Sequence, residues 1–389
     1  MHYKFGEPAG RYIGPGGNYH VYSSTISDVP PEGFEELPVH KMAPGEFNFQ
    51  YGPSTGGLVE SAGLQFITPG EMINSVQVDP TYKTRKLKMK GLDIERAILT
   101  VERINGFHAS SNTIAFILAV EEALGMEPDE EVQKARILQL ELERIRSNFE
   151  VLKRMGEPAG FGVPVNQIGF LRERVSRIIS KAAGHRFFFG VNSPGSALIS
   201  NSGLNEKLSE IRKEFDRIFS GLLQSKIFLN RLQNSCITKG KFLTGPTARA
   251  AGLRYDARED SDSLPYDETP FVPVVHEDGD IFSRMIVRGE EIFNSFDIIS
   301  SLGTVRETPG IKVEKGTGEG SARVESPQGD IFYYVKVNNG TLEDVWYVTP
   351  GTLNVRAFME SMKGNLFPDF HFNWESFGIW ISELGVEIQ

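Results

Sequence analysis

Between Leu92 and Pro128 the pattern of apolar and polar positions predicts a helix, a tight polar elbow and a second helix. Ile94, Ala97, Ile98 and Val101, with Leu92 just ahead of them, recur at spacings of three and four, which marks one apolar helix face. The run from Ile114 to Val120 is apolar all round, so the second helix is expected to be buried on every side. Between them, Asn105-Gly106 and Ala109-Ser110-Ser111-Asn112 break the pattern with residues that favour turns and helix caps. Arg103, Asn105 and His108 are therefore expected on a bend inside the protein. Polar side chains held at a buried bend are candidates for a site.

The same pattern divides the chain into four parts. Residues 1–48, rich in Gly, Pro and aromatics and without sustained periodicity, read as an irregular arm that lies on a partner. In residues 49–85, Leu64 to Ile67 and Met72 to Val78 flank the turn Thr68-Pro69-Gly70-Glu71 and predict a hairpin. Residues 86–240 form a helical bundle. Asp129 to Leu152 is a long helix with Leu138, Leu142, Ile145, Phe149 and Leu152 on one seam and acidic residues in its first turn. Leu171 to Ala183 is another, ended by Gly184, and Leu204 to Gln224 a third that continues or restarts toward Leu232. Residues 241–389 read as an α+β region with a helix near Asp280 to Leu302, a hairpin over 331–348 turning at Asn339-Gly340, and an aromatic tail. The fold class is α+β, with a helical-bundle core.

Composition narrows the chemistry. The chain has 389 residues, 40% of them apolar and 24% charged, enough for a large core of ordinary globular type. A net charge of −10 without a basic stripe argues against nucleic acid as a partner. Cys236 is the sole cysteine, so the chain can neither close an internal disulfide nor hold an iron-sulfur cluster with its own thiolates. It is expected to be an inert residue near a helix end. The longest apolar runs fall far short of the ~20 residues that span a bilayer, and the start lacks the apolar core of a secretory signal. Arg249, Arg254 and Arg258 stand among Asp256, Glu259 and Asp260 and are expected to form solvated ion pairs.

Several ordered motifs carry a family resemblance. Glu102-Arg103-Ile104-Asn105-Gly106-Phe107-His108, its polar cap and the helix ending Ala119-Val120-Glu121 resemble the large subunit of nickel-iron hydrogenases, especially the membrane-bound energy-converting branch, and the quinone-site (49 kDa-type) component of respiratory complex I. The words around Leu140 to Asn148, Arg172 to Phe187, Leu243 to Arg258, and Arg284 with Arg288 resemble the same family in order. In the hydrogenases the elbow reads R-x-C-G-x-C and the tail S-F-D-P-C-x-x-C, and the four thiolates bind the metal. Here those positions are Asn105, His108, Trp380 and Glu383. Soft thiolates are what nickel-iron centres need, so the resemblance, with this departure, implies no nickel-iron centre and no hydrogen activation. In Gly52 to Glu60 the energy-converting register makes Glu60 similar to the family's proton gate. In the complex I register the quinone-facing His falls on Val59 or Gly56 and its companion Tyr on Gly106, so both usual headgroup donors are missing.

Two readings of the altered site stand side by side. In one, Glu60, His108 and Glu383 form a proton-handling or substrate pocket lined by Arg103, Asn105 and Trp380. In the other, Trp380 and the aromatic tail fill the vacated space while His108 and Asn105 satisfy buried backbone groups. No HxH or HxxE spacing supports a metal on Glu60, His108 and Glu383.

The resemblance implies a large subunit of a membrane-associated oxidoreductase assembly with no hydrogenase activity of its own. It would bind no cofactor, and iron-sulfur clusters would sit in partner subunits. The implied partners are an iron-sulfur small subunit, other peripheral-arm subunits, and antiporter-like and quinone-channel-like membrane subunits that move H⁺ or Na⁺. Such a chain would lie peripherally on the cytoplasmic side of the cell membrane, held by those partners. The alternatives are a non-catalytic scaffold with a plugged pocket, or a quinone reductase subunit with altered headgroup donors.

Overall fold

The computed structural model describes residues 3–35, 37–38, 40–310 and 315–389. Strands β1 (Lys4–Phe5), β2 (Tyr12–Gly16), β3 (Tyr19–Tyr22) and β4 (Thr25–Ser27) form a sheet in the order β1-β4-β3-β2. A second, antiparallel sheet joins β5 (Phe47–Tyr51), β6 (Gly63–Thr68) and β7 (Ser75–Asp79). Strand β8 (Arg85–Leu87) follows, then helices α1 (Ile94–Val101), α2 (Ala109–Leu124), α3 (Glu130–Gly156) and α4 (Gly162–Ala183). After the short ladder β9 (Asn192–Ser193) and β10 (Ser196–Ala197) come α5 (Asn205–Leu223), α6 (Lys226–Leu232), α7 (Gly245–Ala250), α8 (Ala257–Asp260) and α9 (Ile281–Ser301). The C-terminal part is the sheet β11 (Gly318–Ser326), β12 (Gly329–Asn338) and β13 (Thr341–Val348), then α10 (Gly351–Met362), α11 (Phe370–Phe377), α12 (Ile381–Leu384) and β14 (Val386–Ile388). Pairing of β14 with β8 returns the C-terminus to the start of the helical part. No helix among the described residues is long and apolar enough to cross a membrane.

Helix α2 is the axis of the packing, as its all-round apolar run predicts. Residues Ala109 to Glu121 are buried, with α3 on one side and β11 and β12 on the other. Its close seat on the sheet depends on two glycines of β11. A Cβ at Gly318 would overlap the carbonyl oxygen of Ala123, and one at Gly320 that of Ala119. Small residues on both surfaces let the helix backbone rest on the strand. At the far end of the sheet Asn339 and Gly340, both at positive φ, make the tight turn that the Asn-Gly pair predicts.

The first 48 residues depart from the irregular arm expected of them. Gly17, at positive φ, turns β2 into β3, Ser23-Ser24 join β3 to β4, and the sheet's apolar positions Ile13, Val21 and Ile26 pack on Phe332, Tyr334, Trp346 and Val348. Antiparallel sheet β11–β13 is thus covered on both faces, which explains why nearly every residue of β12 is buried. The part of the arm at residues 1–2, 36 and 39 lies outside the described residues. Helix α4 also begins nine residues before the expected Leu171, with Pro164 near its start, where the missing N–H is no loss.

A second departure concerns charge. Arg249 and Arg258 are not solvated. Both are buried, Arg249 between Asp256 (2.9 Å), Glu291 (2.5 Å) and Glu325 (2.8 Å), and Arg258 on Asp256 (2.8 Å). Only Arg254 with Glu259 forms the exposed pair expected of all three. The two guanidiniums hold the Asp256 carboxyl well below the usual range against the opposing effect of burial, while burial and neighbouring Asp256 push Glu325 up. Cys236 is buried just past the end of α6, and burial pushes its thiol up to about 12.

Alanine is a better strand residue than glycine, so propensity alone predicts that Gly320→Ala stabilises the protein. The α2–β11 contact predicts the reverse, a loss of about 2 kcal/mol in urea unfolding, because a methyl would be forced against backbone. A neutral or stabilising result would show that the helix does not rest on this glycine.

Candidate functional site

The elbow after α1 is built by its own side chains. Asn105 is extended, and its Oδ1 accepts the Phe107 N–H at 2.9 Å, capping a single 3₁₀ turn from Gly106 to His108 that leads directly into α2. Ser110, Ser111 and Asn112, expected to belong to the break, lie inside α2 and are fully buried. The reason is Glu143 of α3. Its carboxylate accepts the N–H groups of Ser110 (2.7 Å) and Ser111 (3.0 Å) and the Ser111 hydroxyl, so it caps the helix from outside. Burial raises the Glu143 carboxyl, with His108 and Arg146 pulling the other way.

From the other direction comes the C-terminal tail. Helix α11 stops at Gly378 in the left-handed conformation (φ 65°), where a Cβ would collide with the Gln328 side chain. The turn carries Trp380 onto the elbow. Its indole is 5% exposed, stacks on Phe107 (4.8 Å, 23°) and meets His108 edge-on at 5.8 Å. Glu383, on α12, then reaches His108.

His108 and Glu383 form a buried couple with one consistent direction of hydrogen bonding. Arg288 Nη2 donates to Gln328 Oε1 at 2.7 Å, which orients that amide so that its Nε2 donates to Ser147 Oγ at 3.3 Å. The Ser147 hydroxyl then gives its proton to His108 Nε2 (3.1 Å), and His108 Nδ1–H donates to Glu383 Oε1 at 2.6 Å. Network geometry thus assigns the Nδ1–H tautomer. Glu383 is also held by Asn105 Nδ2 (2.9 Å) and Thr349 Oγ1 (3.3 Å), and its backbone carbonyl accepts from the Tyr347 hydroxyl (2.5 Å). His108 and Ser147 are fully buried and Glu383 nearly so. Within this arrangement Ser147 and His108 each both accept and donate, so a proton can pass between Ser147 and Glu383 through the imidazole, while Arg288 and Gln328 fix the direction.

Not every expected residue joins this couple. Asn105 and Trp380 line it. Glu60 is half-buried on the loop between β5 and β6, and accepts the Ser382 N–H at 3.0 Å, fixing the first turn of α12 rather than touching His108. Arg103 turns outward to the Leu99 carbonyl and lies over Phe189 at 4.9 Å, leaving its side chain 54% exposed. The arginine at the bend is Arg146 of α3, which donates to the carbonyls of Gly106, Phe107 and Arg186.

Sequence reasoning did not place Glu143, Ser147, Gln328 or Arg288 at the site, although Arg288 and the stretch Leu140 to Asn148 carry the family resemblance. A signal existed for part of this: Gln139, Glu143 and Ser147 follow one another at intervals of four, so they share one α3 face. Gln328 gave none. It comes into place through the tight β11–β12 turn.

The donor set does not fit a nickel-iron group. The four positions hold an amide, an imidazole, an indole and a carboxylate, and the polar atoms of the amide, imidazole and carboxylate are committed to one another rather than left open toward a common point. Among the described residues no group of three or more His, Cys, Asp or Glu is gathered as a metal site. A groove of about 1070 Å³ opens between Phe34, Val76, Ile237 and Arg356, and neither His108 nor Trp380 lines it. Removing the indole should therefore be felt as a cavity. Trp380→Ala should lower stability by about 3–5 kcal/mol in equilibrium unfolding. A loss below about 1 kcal/mol would show that Trp380 does not fill the place.

Residues 164–310 match the family model described as the 49 kDa subunit of respiratory-chain NADH dehydrogenase. The membrane-bound hydrogenase subunit alpha of Pyrococcus furiosus is 26% identical over 355 residues, 82% of either chain. A subunit of the NADH-quinone oxidoreductase of Clostridium beijerinckii is 26% identical over 348 residues, 82% of this chain and 90% of that one. Among solved structures, a chain of the membrane-bound sulfane sulfur reductase, an archaeal respiratory membrane complex, superimposes with a TM-score of 0.80 at 21% identity over 87% of this chain and 98% of that one. That last likeness speaks for the fold alone. Motifs, fold and relatives agree: the chain is similar along most of its length to the membrane-bound hydrogenase alpha subunit and to the NADH-quinone oxidoreductase subunit, and its residues 164–310 match the 49 kDa-type family of respiratory complex I.

Proposed function

We propose that this chain is a subunit of a membrane-bound respiratory-type complex, in which it occupies the place of the large subunit but carries no nickel-iron centre. The relatives named above are subunits of membrane-bound hydrogenase and NADH-quinone oxidoreductase, and each is matched over four-fifths or more of its length. No described helix can cross a membrane, so attachment would come through partners. In this reading an iron-sulfur partner delivers electrons, membrane subunits move H⁺ or Na⁺, and the chain's part in the coupling is protonic. The observation that carries it is the Ser147–His108–Glu383 relay, oriented by Arg288 through Gln328, which ends at the position that the resemblance aligns with a metal ligand and leads to the tail that Glu60 anchors. No step requires hydrogen activation.

One observation favours an organic acceptor, a quinone bound by altered donors, and it lies away from His108. The Tyr51 hydroxyl donates to the Gly56 carbonyl at 2.6 Å and sits 3.2 Å from His371 Nε2. His371 packs so closely under the loop that a Cβ at Gly57 would meet its ring at 2.8 Å. Burial lowers the His371 pKa, so the ring is neutral near pH 7 and can offer hydrogen bonds without charge. A Tyr-His pair thus stands beside the very loop from which the family's histidine is missing.

The test is gentle solubilisation of native membranes, isolation through a tag on this chain, and mass spectrometry of what accompanies it. An iron-sulfur subunit and antiporter-like membrane subunits in fixed ratio are expected. Recovery of the chain alone, in the soluble fraction, would overturn the assembly reading. If the assembly reduces a quinone, His371→Ala should lower that activity at least about tenfold, whereas His108→Ala should leave quinone affinity unchanged.

A further inference from the structure

Two buried donors next to the Trp380 plug have no acceptor. Trp380 Nε1 and Arg154 Nη2 both lack a hydrogen-bond partner among the described residues, although the two side chains are only 5% and 3% exposed. They belong to one stack: the Arg154 guanidinium carbon lies 4.3 Å from the indole centroid, on a ring whose stacking partner is Phe107. Arg154 is otherwise fixed, with Nε on Glu150 Oε1 (3.1 Å) and Nη1 at 3.5 Å from Glu375 Oε2. Leaving two such N–H groups dry would cost about 1–3 kcal/mol each, so an acceptor is called for at the edge of this stack. An indole N–H and a guanidinium N–H offer donors only, one of them charged, and the chemistry they complement is that of an anion.

We propose that the rim of the Trp380–Arg154 stack is a binding site for a small monovalent inorganic anion of chloride size, and that its occupancy is linked to a proton on Glu375. The charges around it explain the linkage. Lys153, Arg154 and Arg172 face the carboxylates of Glu150, Glu157 and Glu375. From α9, Arg284 and Arg288 hold Asn373, Ser376 and the Phe377 carbonyl, while α10 presents Phe358 and Ser361, which do not titrate. With Glu375 ionised, the first group is balanced. With Glu375 protonated it has a cation in excess, and an anion restores the balance. Burial pushes the Glu375 carboxyl up to about 7, with Arg154 opposing, so this switch falls in the physiological range. The sign follows: an anion beside Glu375 favours its protonated form, so anion affinity rises as pH falls through about 7 and weakens above it.

The chain has three tryptophans, so the indole N–H signals of the ¹⁵N-labelled full chain supply the probe and its controls together. Titration with sodium chloride, at ionic strength held constant by gluconate, should shift the Trp380 signal saturably while those of Trp346 and Trp374 stay fixed. Trp380→Phe identifies the signal by removing it. Affinity should weaken at least about fivefold between about pH 6 and about pH 8, and Glu375→Gln should abolish that dependence while keeping chloride bound. Arg154→Lys, which retains the charge but not the fork, should weaken binding about tenfold. If the Trp380 signal does not move, or all three drift together without saturating, the partner is water and the proposal fails. An unchanged pH dependence in Glu375→Gln would overturn the linkage.

Discussion

Every charge carried into the interior by α3 must be met by a partner, and that constraint organises the molecule. Of the 27 residues in α3, Arg136, Glu141, Glu143, Arg144, Arg146 and Glu150 are all buried, and an uncompensated charge there would cost several kcal/mol. The partners come from everywhere else. Glu121 of α2 takes Arg136, and Glu143 returns the favour by capping the start of α2. Tyr266, Ser295 and Arg258 converge on Glu141, and the end of β11 offers the carbonyls of Glu325 and Ser326 to Arg144. Apolar packing supplies the driving force, but these pairs fix which elements meet and in what register.

The altered site inherits that logic. Where the family places four thiolates around a metal, this chain places groups that satisfy one another: Asn105 and His108 on the elbow, Glu383 on the tail, Thr349 and Ser147 from either side. Elbow and tail are joined by a hydrogen-bonded carboxylate–imidazole couple and an aromatic stack. The elbow's shape is held because Asn105 caps it, and the tail's because Gly378 turns it and Glu60 holds the Ser382 N–H in the first turn of α12.

How far the sequence reaches is clear from particular elements. The all-apolar run of α2, the seam of α3, the glycine stop of α4 and the Asn-Gly turn of β12–β13 were legible because each is a local signal with one physical meaning. The N-terminal sheet was not, since its strands are short and rich in Gly and aromatics, and only the sheet beneath makes them strands. Nor was the burial of Arg249 and Arg258, because nothing local distinguishes a buried arginine from a solvated one when its acids lie as far off as Glu291 and Glu325. Arg103 misled for the converse reason: a polar residue on a buried bend can still turn outward.

His108 and Glu383 act as one unit that ties elbow to tail, and on that unit the altered site stands or falls. A double-mutant cycle measures this directly, comparing unfolding free energies of His108→Ala, Glu383→Gln and the double variant against the parent. Coupling of at least about 2 kcal/mol is expected, because either single change leaves a buried polar partner unsatisfied. Effects that add to within about 0.5 kcal/mol would contradict this: the two residues would then be independent neighbours in a pocket held together by something else.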